Sequence, residues 1–167
     1  MVIRGGGTME YKEIRHDLFD MCASGYSLAH CISADFALGA GIAKTFEARF
    51  GIKNRLVRKF GAGWHKGFST ADATCIACGP FSHGPHGGGN VMVFNLVTKK
   101  RYWEKPTLES MAKSLTVLRK QCEKYGVKKL AMPKIGCGLD RLNWKDVSEL
   151  VKKTFAGSGI HIVVCYL

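Results

Sequence analysis

Apolar and polar positions in the first third of the chain follow a strand, turn, helix order. Residues 8–15 mix apolar and charged side chains like an edge strand, and residues 26–33 form an apolar run of strand length. After a glycine turn, apolar residues recur at helical spacing with an interruption near Gly51. The residues on this helical face are Ile42, Phe46, Phe50, Leu56 and Val57.

The middle of the chain predicts a hairpin and a long helix. Residues 73–78 and 91–98 have strand character, and the glycine- and proline-rich stretch between them predicts a hairpin with a long, mobile tip. A helix should begin at Pro106 and Thr107 and end at Gly126, because proline suits a first turn and glycine an end. Its apolar face comprises Leu108, Met111, Leu115, Leu118 and Cys122.

The last third repeats the strand, loop, helix order. Residues 129–135 predict a strand that enters a glycine loop, residues 144–155 a helix, and residues 160–167 a final strand. This alternation predicts the α/β class: a mixed, mostly parallel central sheet with helices on both faces, in three α/β/α layers. In such a fold the ligand site lies at the carboxyl ends of the strands.

Length and composition fit one domain inside a cell. The 167 residues, 46% of them apolar, predict a flexible segment at 1–7 and one folded domain at 8–167. No stretch reaches the roughly 18 apolar residues of a membrane span, so no membrane association is expected. Seven cysteines, an odd number, favour reduced thiols. We therefore expect an intracellular protein, in the nucleus or cytoplasm, or inside a host cell if the protein is viral.

The chain is strongly basic, with 25 Lys and Arg against 13 Asp and Glu, a net charge of +12. Such a charge attracts phosphate-bearing ligands and polyanions, although a solvated basic surface explains it equally well. Charge alone does not distinguish a nucleotide from a nucleic acid or poly(ADP-ribose). Because no nucleic-acid-binding motif is present, only non-specific nucleic-acid binding is expected.

Two glycine-rich loops are candidates for a phosphate site. GAGIA at 39–43 and GCGLD at 136–140 each follow a predicted strand and lead toward a helix. Glycine lets the backbone approach a ligand closely, and amide groups near a helix start favour phosphate oxygens. Either loop alone is weak evidence, but together they indicate a clamp on a diphosphate.

The chain resembles the macro domain family, and specifically the terminal ADP-ribose protein glycohydrolases that act on ADP-ribosylated acidic residues. The blocks that carry the resemblance occur in order over about residues 10–167. They are DLF at 17–19, LAHCIS at 28–33, GAGIA at 39–43, LVTKKR at 96–101, KPT at 105–107 and MPKIGCGLDRLNW at 132–144.

The resemblance implies an ADP-ribose pocket, no cofactor or metal, and a catalytic pair. Lys99 would attack the anomeric carbon of the distal ribose, after the sugar ring opens, and expel the protein carboxylate, with Asp140 as general acid and base. Asp17 would accept a hydrogen bond from the adenine amino group. The implied ligand-binding residues are Asp17, Leu18, Ser33, Gly39, Ala40, Gly41, Ile42, Thr98, Ile135, Gly136, Cys137, Gly138 and Leu139.

Simpler interpretations stand beside these roles. Asp17 also fits an ordinary turn aspartate, and Ser33 an N-cap or a core hydroxyl. The TKKR segment also fits a solvated basic turn, and Lys100 and Arg101 are adjacent rivals to Lys99 because side chains alternate faces along a strand. Only the surrounding pattern favours Lys99 as the nucleophile.

Some features depart from the family pattern. His16 stands where many macro domains carry glycine, and residues 62–90 match the glycohydrolase branch poorly, so this insertion is a candidate lid or contact. Trp64 and Trp103 are candidates for stacking on bases, whereas Trp144, at a helix start, is expected in the core.

Two other chemistries are weighed and disfavoured. The string Cys75, Cys78, His83, His86 offers zinc ligands, but residues three apart on a strand point to opposite faces. Thiol catalysis by Cys137 is disfavoured because a small side chain between glycines suits a phosphate loop.

Four functions remain open from the sequence. The first is hydrolysis of the ester that links ADP-ribose to glutamate or aspartate of a protein. The second is a phosphatase for ADP-ribose 1''-phosphate, the third a non-catalytic reader of ADP-ribosylated proteins or poly(ADP-ribose), and the fourth a nucleic-acid-binding domain.

Overall fold

The computed structural model of the chain describes residues 8–61, 73–83 and 88–167. The strands are β1 (Glu10–Arg15), β2 (Ser27–Ser33), β3 (Thr74–His83), β4 (Gly88–Lys99), β5 (Lys129–Met132) and β6 (His161–Tyr166). The helices are α1 (Gly41–Phe50), α2 (Ile52–Phe60), α3 (Leu108–Lys124) and α4 (Trp144–Phe155), with a 3₁₀ helix at Leu18–Ser24.

The six strands form one sheet in the order β1-β6-β5-β2-β4-β3. Neighbouring strands pair in parallel, except that β3 runs antiparallel to β4 at one edge. The predicted mixed, mostly parallel sheet is confirmed, and β1 lies at the other edge as expected. The carboxyl ends of β2, β4 and β5, which are neighbours, therefore meet at one side of the sheet.

Helices cover both faces of the sheet, which gives three layers. Leu28 and Ile32 of β2 pack in a core shared with α1, α2 and the 3₁₀ helix. Ala29, on the opposite face, packs in a second core shared with α3 and α4. This alternation is the two-residue period of a strand buried on both faces.

Local sequence signals set the ends of the helices. Gly51 adopts φ 61°, a left-handed conformation that costs glycine little, and it separates α1 from α2 where the apolar pattern was predicted to break. Thr107 and Ser110 form a reciprocal capping box at the start of α3. Asn143 accepts from the Asp146 amide at the start of α4, which spans the predicted residues.

Two sequence predictions about the elements need correction, and one element was not predicted. β3 and β4 continue to His83 and Gly88, so the ladder runs into the segment predicted as a long tip. The register shifts between Cys78 and Phe81, around Pro80, and an edge strand tolerates such an interruption. β5 ends at Met132 rather than at 135, since the proline that follows has no N–H for the ladder. The 3₁₀ helix carried no periodic signal.

Some expectations fall on residues outside the described ranges. These are the flexible segment at 1–7, residues 62–72 with Trp64, and residues 84–87 of the hairpin tip, with His86. All seven cysteines lie within the described ranges and are free thiols. Among the described helices, none combines the length and apolar character needed to cross a membrane.

We predict that the free energy of unfolding decreases as the pH falls from about 6.5 to about 4. His30 is fully buried, stacks on Phe46 with ring centroids 3.7 Å apart, and shares a 2.6 Å hydrogen bond with Asn95 Oδ1. Burial lowers the pKa of His30 from 6.5 to about 4. In this window the unfolded chain binds a proton that the folded protein excludes, so stability falls by about 3 kcal/mol.

Urea unfolding at several pH values measures this dependence, with His30→Gln as the control. Glutamine retains a hydrogen-bond donor toward Asn95 but does not titrate, so the pH dependence should be smaller in the variant. An equal slope in wild type and variant would assign the acid sensitivity to other groups.

Candidate active site

A cavity of about 690 Å³ opens at the carboxyl ends of β2, β4 and β5. Its volume suits a nucleotide-sized ligand. Three segments supply the wall: residues 31–33 with 37–43, the end of β4 with the loop that follows it, and the loop after β5. The residues that line it beyond the first segment are Lys99, Tyr102, Lys105, Pro133, Lys134, Ile135, Gly136, Gly138, Leu139 and Asp140.

The turn before the first glycine loop is held by Asp35. Its Oδ1 accepts hydrogen bonds from Ser33 Oγ at 2.5 Å and from the Ala37 amide at 3.2 Å. Phe36 and Leu38 adopt positive φ values of 56° and 44°, which non-glycine residues rarely do. Phe36 is fully buried in the core, so packing fixes this strained turn.

The first glycine loop presents a helix N-terminus to the cavity. Ala40 is the N-cap of α1 and offers no side-chain hydrogen bond, and the first turn contains no acidic residue. Ala40, Gly41 and Ile42 all line the cavity. The amide groups and the positive end of the helix dipole at this position favour an anionic ligand group.

The second glycine loop lies opposite the first. Gly136 has φ 74°, which other residues rarely adopt, and a Cβ there would also lie 2.7 Å from Met111 Cε and 3.0 Å from Leu142 Cδ1, so the backbone conformation favours glycine. Its carbonyl accepts from the Leu142 amide at 2.7 Å. A Cβ on Gly41 would meet Leu139 Cδ1 at 3.4 Å. The two loops therefore approach each other across one cavity.

Lys99 and Asp140 form an ion pair inside the cavity. Lys99 Nζ donates to Asp140 Oδ1 at 2.6 Å, and the two side chains are only 13% and 14% exposed. Lys99 ends β4 beside Ser33 of β2, where the register shifts. Lys100 and Arg101 are exposed and do not line the cavity. Of the three consecutive basic residues, it is thus Lys99 that reaches the site.

Two thiols near this pair are poor nucleophiles. Cys31 lines the cavity, and burial together with the Asp140 carboxylate holds the pKa of its thiol well above the usual range. Burial also raises the pKa of Cys137 to about 11. Both side chains remain protonated thiols near neutral pH, which argues against thiolate chemistry.

The cavity gathers most of the residues that the sequence indicated. Eleven of them line it: Ser33, Gly39, Ala40, Gly41, Ile42, Lys99, Ile135, Gly136, Gly138, Leu139 and Asp140. Asp17, Leu18, Thr98 and Cys137 do not. Leu18 and Thr98 are buried, whereas Asp17 is exposed and its Oδ1 accepts from the Phe19 amide at 2.8 Å as the cap of the 3₁₀ helix.

The structure adds lining residues that the sequence did not indicate. Tyr102 and Lys105, in the loop after β4, border the cavity together with Lys134. Lys105 belongs to the KPT block, so the family resemblance carried a signal for it. No pattern in the sequence indicated Tyr102.

The disfavoured zinc string finds no support in the described part of the chain. Cys75 packs in the core shared with α3 and α4, whereas Cys78 packs in the opposite core. Within residues 8–61, 73–83 and 88–167, no three His, Cys, Asp or Glu side chains are grouped as metal ligands.

Comparisons with known proteins agree with this geometry. The chain is 38% identical over 151 residues to the human ADP-ribose glycohydrolase OARD1, covering 90% of this chain and 88% of that protein. It superposes on the macrodomain of Thermus aquaticus DarG with a TM-score of 0.73 at 18% identity, covering 95% and 99% of the two chains.

A Thermosipho africanus DarTG in complex with ADP-ribose superposes with a TM-score of 0.74 at 16% identity, covering 95% of this chain and 42% of that one. No family model matches the chain. The solved structures share the fold, and the human relative shares sequence over nearly the whole length. The resemblance seen in the sequence is therefore confirmed, and the chain belongs to the macro domain family, on the branch of the OARD1 glycohydrolases.

Proposed function

We propose that the protein is a hydrolase that removes ADP-ribose from ADP-ribosylated acidic residues of proteins by cleaving the ester bond. The observation that carries the proposal is the 2.6 Å pair of Lys99 and Asp140 inside the cavity. An amine and a carboxylate in hydrogen-bond contact combine a nucleophile with a proton acceptor. The relative at 38% identity is named an ADP-ribose glycohydrolase, which supports this reaction class.

The two glycine loops would hold the diphosphate of the ligand. The start of α1 at Gly41 supplies amide groups and the positive end of a helix dipole. The loop from Gly136 to Leu139 would close over the other side, because the Leu139 side chain lies next to Gly41, 3.4 Å from where its Cβ would be. The distal ribose then extends toward Lys99 and Asp140.

The proposed reaction has two steps. Asp140 takes a proton from Lys99 Nζ, and the free amine forms a bond to C1'' of the distal ribose while the bond from C1'' to the protein carboxylate breaks. The carboxylate leaves with the electron pair. The ribose ring then opens as the C1''–O4'' bond breaks and Asp140 moves a proton from the nitrogen to O4'', which leaves a protonated imine on Lys99. Water then adds to C1'' as the C–N bond breaks, with Asp140 moving protons between water and the amine, which releases ADP-ribose and restores Lys99.

Lys99→Ala and Asp140→Ala should each slow release of ADP-ribose from a modified protein by about 10²- to 10⁴-fold, because each removes one partner of the nucleophile and proton-transfer pair. Lys128→Ala is the matched control, since Lys128 is exposed, does not line the cavity and precedes β5 at the end of the strand away from the cavity. Borohydride reduction followed by mass spectrometry should find a ribose adduct on Lys99.

Three outcomes would count against this assignment. Unchanged rates of ADP-ribose release in both variants would show that Lys99 and Asp140 do not catalyse the reaction. Release of phosphate from ADP-ribose 1''-phosphate, without cleavage of the ester, would indicate the phosphatase. Calorimetric binding of ADP-ribose with no product on long incubation would indicate a reader.

Gly41→Ala should weaken ADP-ribose binding by tenfold or more in calorimetry. The new methyl group would strain a residue at φ 59° and narrow the gap to Leu139 Cδ1, 3.4 Å away. Gly51→Ala is a matched control, because Gly51 has φ 61° with no atom within 4 Å of the added Cβ and does not line the cavity. Both variants should lose similar stability, about 1 kcal/mol. Equal affinities in the two variants would exclude Gly41 from the ligand site.

A further inference from the structure

Two large aromatic side chains stand exposed beside the cavity. Tyr102 is 63% exposed and Trp103 is 59% exposed, in the loop that follows β4. We call residues 100–105 the rim loop. Exposed adjacent aromatic residues are uncommon on a soluble surface unless they contact a partner.

The rim loop is held in place on both sides of the cavity. The Tyr102 amide donates to Asp35 Oδ2 at 2.9 Å, which ties the loop to the turn after β2. Lys105 Nζ donates to the Leu139 carbonyl at 2.6 Å, which ties it to the second glycine loop. Glu104 Oε1 accepts from the Arg101 amide at 2.8 Å. The backbone that carries the aromatic pair is thus held in place, so binding through the pair requires less ordering of the loop.

The rim loop adjoins the reacting end of the cavity. It begins one residue after Lys99, and Tyr102 and Lys105 line the same cavity as the Lys99–Asp140 pair. Trp103 does not line the cavity and lies beyond Tyr102, with the two ring centroids 5.0 Å apart and the ring planes at 90°. An ADP-ribosylated ligand whose C1'' atom contacts Lys99 would place its leaving group beside the rim loop.

The net positive charge of the rim loop favours a leaving group with negative charge. Lys100, Arg101 and Lys105 outnumber the one acidic residue, Glu104. The Arg101 guanidinium lies over the Trp103 ring, 5.3 Å from its centroid. One ring face is therefore already occupied, and the edge-to-face pair forms an apolar corner rather than an open stacking surface for a base. This geometry favours an acidic polypeptide over a nucleic acid.

We propose that Trp103, supported by Tyr102 and the basic residues of the rim loop, docks the acidic polypeptide segment that carries the ADP-ribosylated residue. This inference rests on the proposed function, because it assigns the substrate side of the same site. Trp103 acts on substrate specificity and takes no part in bond breaking. The protein should therefore prefer ADP-ribose attached to an acidic peptide over ADP-ribose attached to a small acyl group.

The test compares Trp103→Ser with wild type on two substrates: a synthetic acidic peptide that carries ADP-ribose on glutamate, and the acetyl ester of ADP-ribose. We expect the KM for the peptide to rise about tenfold or more with kcat nearly unchanged, and both constants for the acetyl ester to stay the same. Trp103→Phe should restore most of the peptide affinity. Tyr125→Ser removes another exposed aromatic residue, outside the cavity, and should change nothing.

A binding measurement separates this inference from the proposed function. In a Lys99→Ala background, calorimetry should show that the ADP-ribosylated peptide binds more tightly than ADP-ribose and that Trp103→Ser removes the difference. That binding result would support the docking surface even if the wild-type protein cleaves neither substrate. The absence of cleavage would overturn only the proposed function.

Other results would overturn the docking surface itself. An unchanged peptide KM, or an equal loss on both esters, would show that Trp103 does not read the polypeptide. Competition by a single-stranded oligonucleotide that depends on Trp103, with none by an unmodified acidic peptide, would assign the surface to nucleic acid.

Discussion

Parallel pairing of β2 with both β4 and β5 is the constraint on which the site depends. Parallel neighbours place their carboxyl ends on the same side of a sheet, so the segments that follow these strands must meet. Two glycine loops and the end of β4 thereby share one cavity, although they are far apart in sequence. The register places Ser33 beside Lys99, and the loop after β5 then brings Asp140 to the lysine amine. The cores on both faces of the sheet hold this arrangement.

The Lys99–Asp140 pair is better explained by chemistry than by stability. Moving two charges out of water costs several kcal/mol, and the attraction between them often fails to repay it. A well-packed pair of apolar side chains at these two positions would stabilise the fold at least equally. Around the pair the protein places a helix N-terminus and further lysines, Lys105 and Lys134, all suited to an anionic ligand. This local arrangement, more than the net charge of +12, indicates the class of ligand.

Sequence patterns predicted the features that are set by interactions between residues close together in the chain, such as the ends of the helices. Pro106, Thr107 and Gly126 framed α3, and Trp144 opened α4, because caps and helical periodicity act within a few residues. The extent of β3 depends instead on its partner β4, which continues the ladder past glycine and proline residues typical of a turn. The Lys99–Asp140 contact joins residues 41 positions apart. Strand order creates that contact, so only the family resemblance pointed to it, and no pattern revealed that Tyr102 reaches the cavity.

The most direct test of the account is a crystal structure of the Asp140→Asn variant with ADP-ribose. The account predicts that the diphosphate lies between residues 39–43 and 136–139, with C1'' of the distal ribose within about 3.5 Å of Lys99 Nζ, a distance suited to attack. A ligand bound outside this cavity, or one whose distal ribose points away from Lys99, would contradict it.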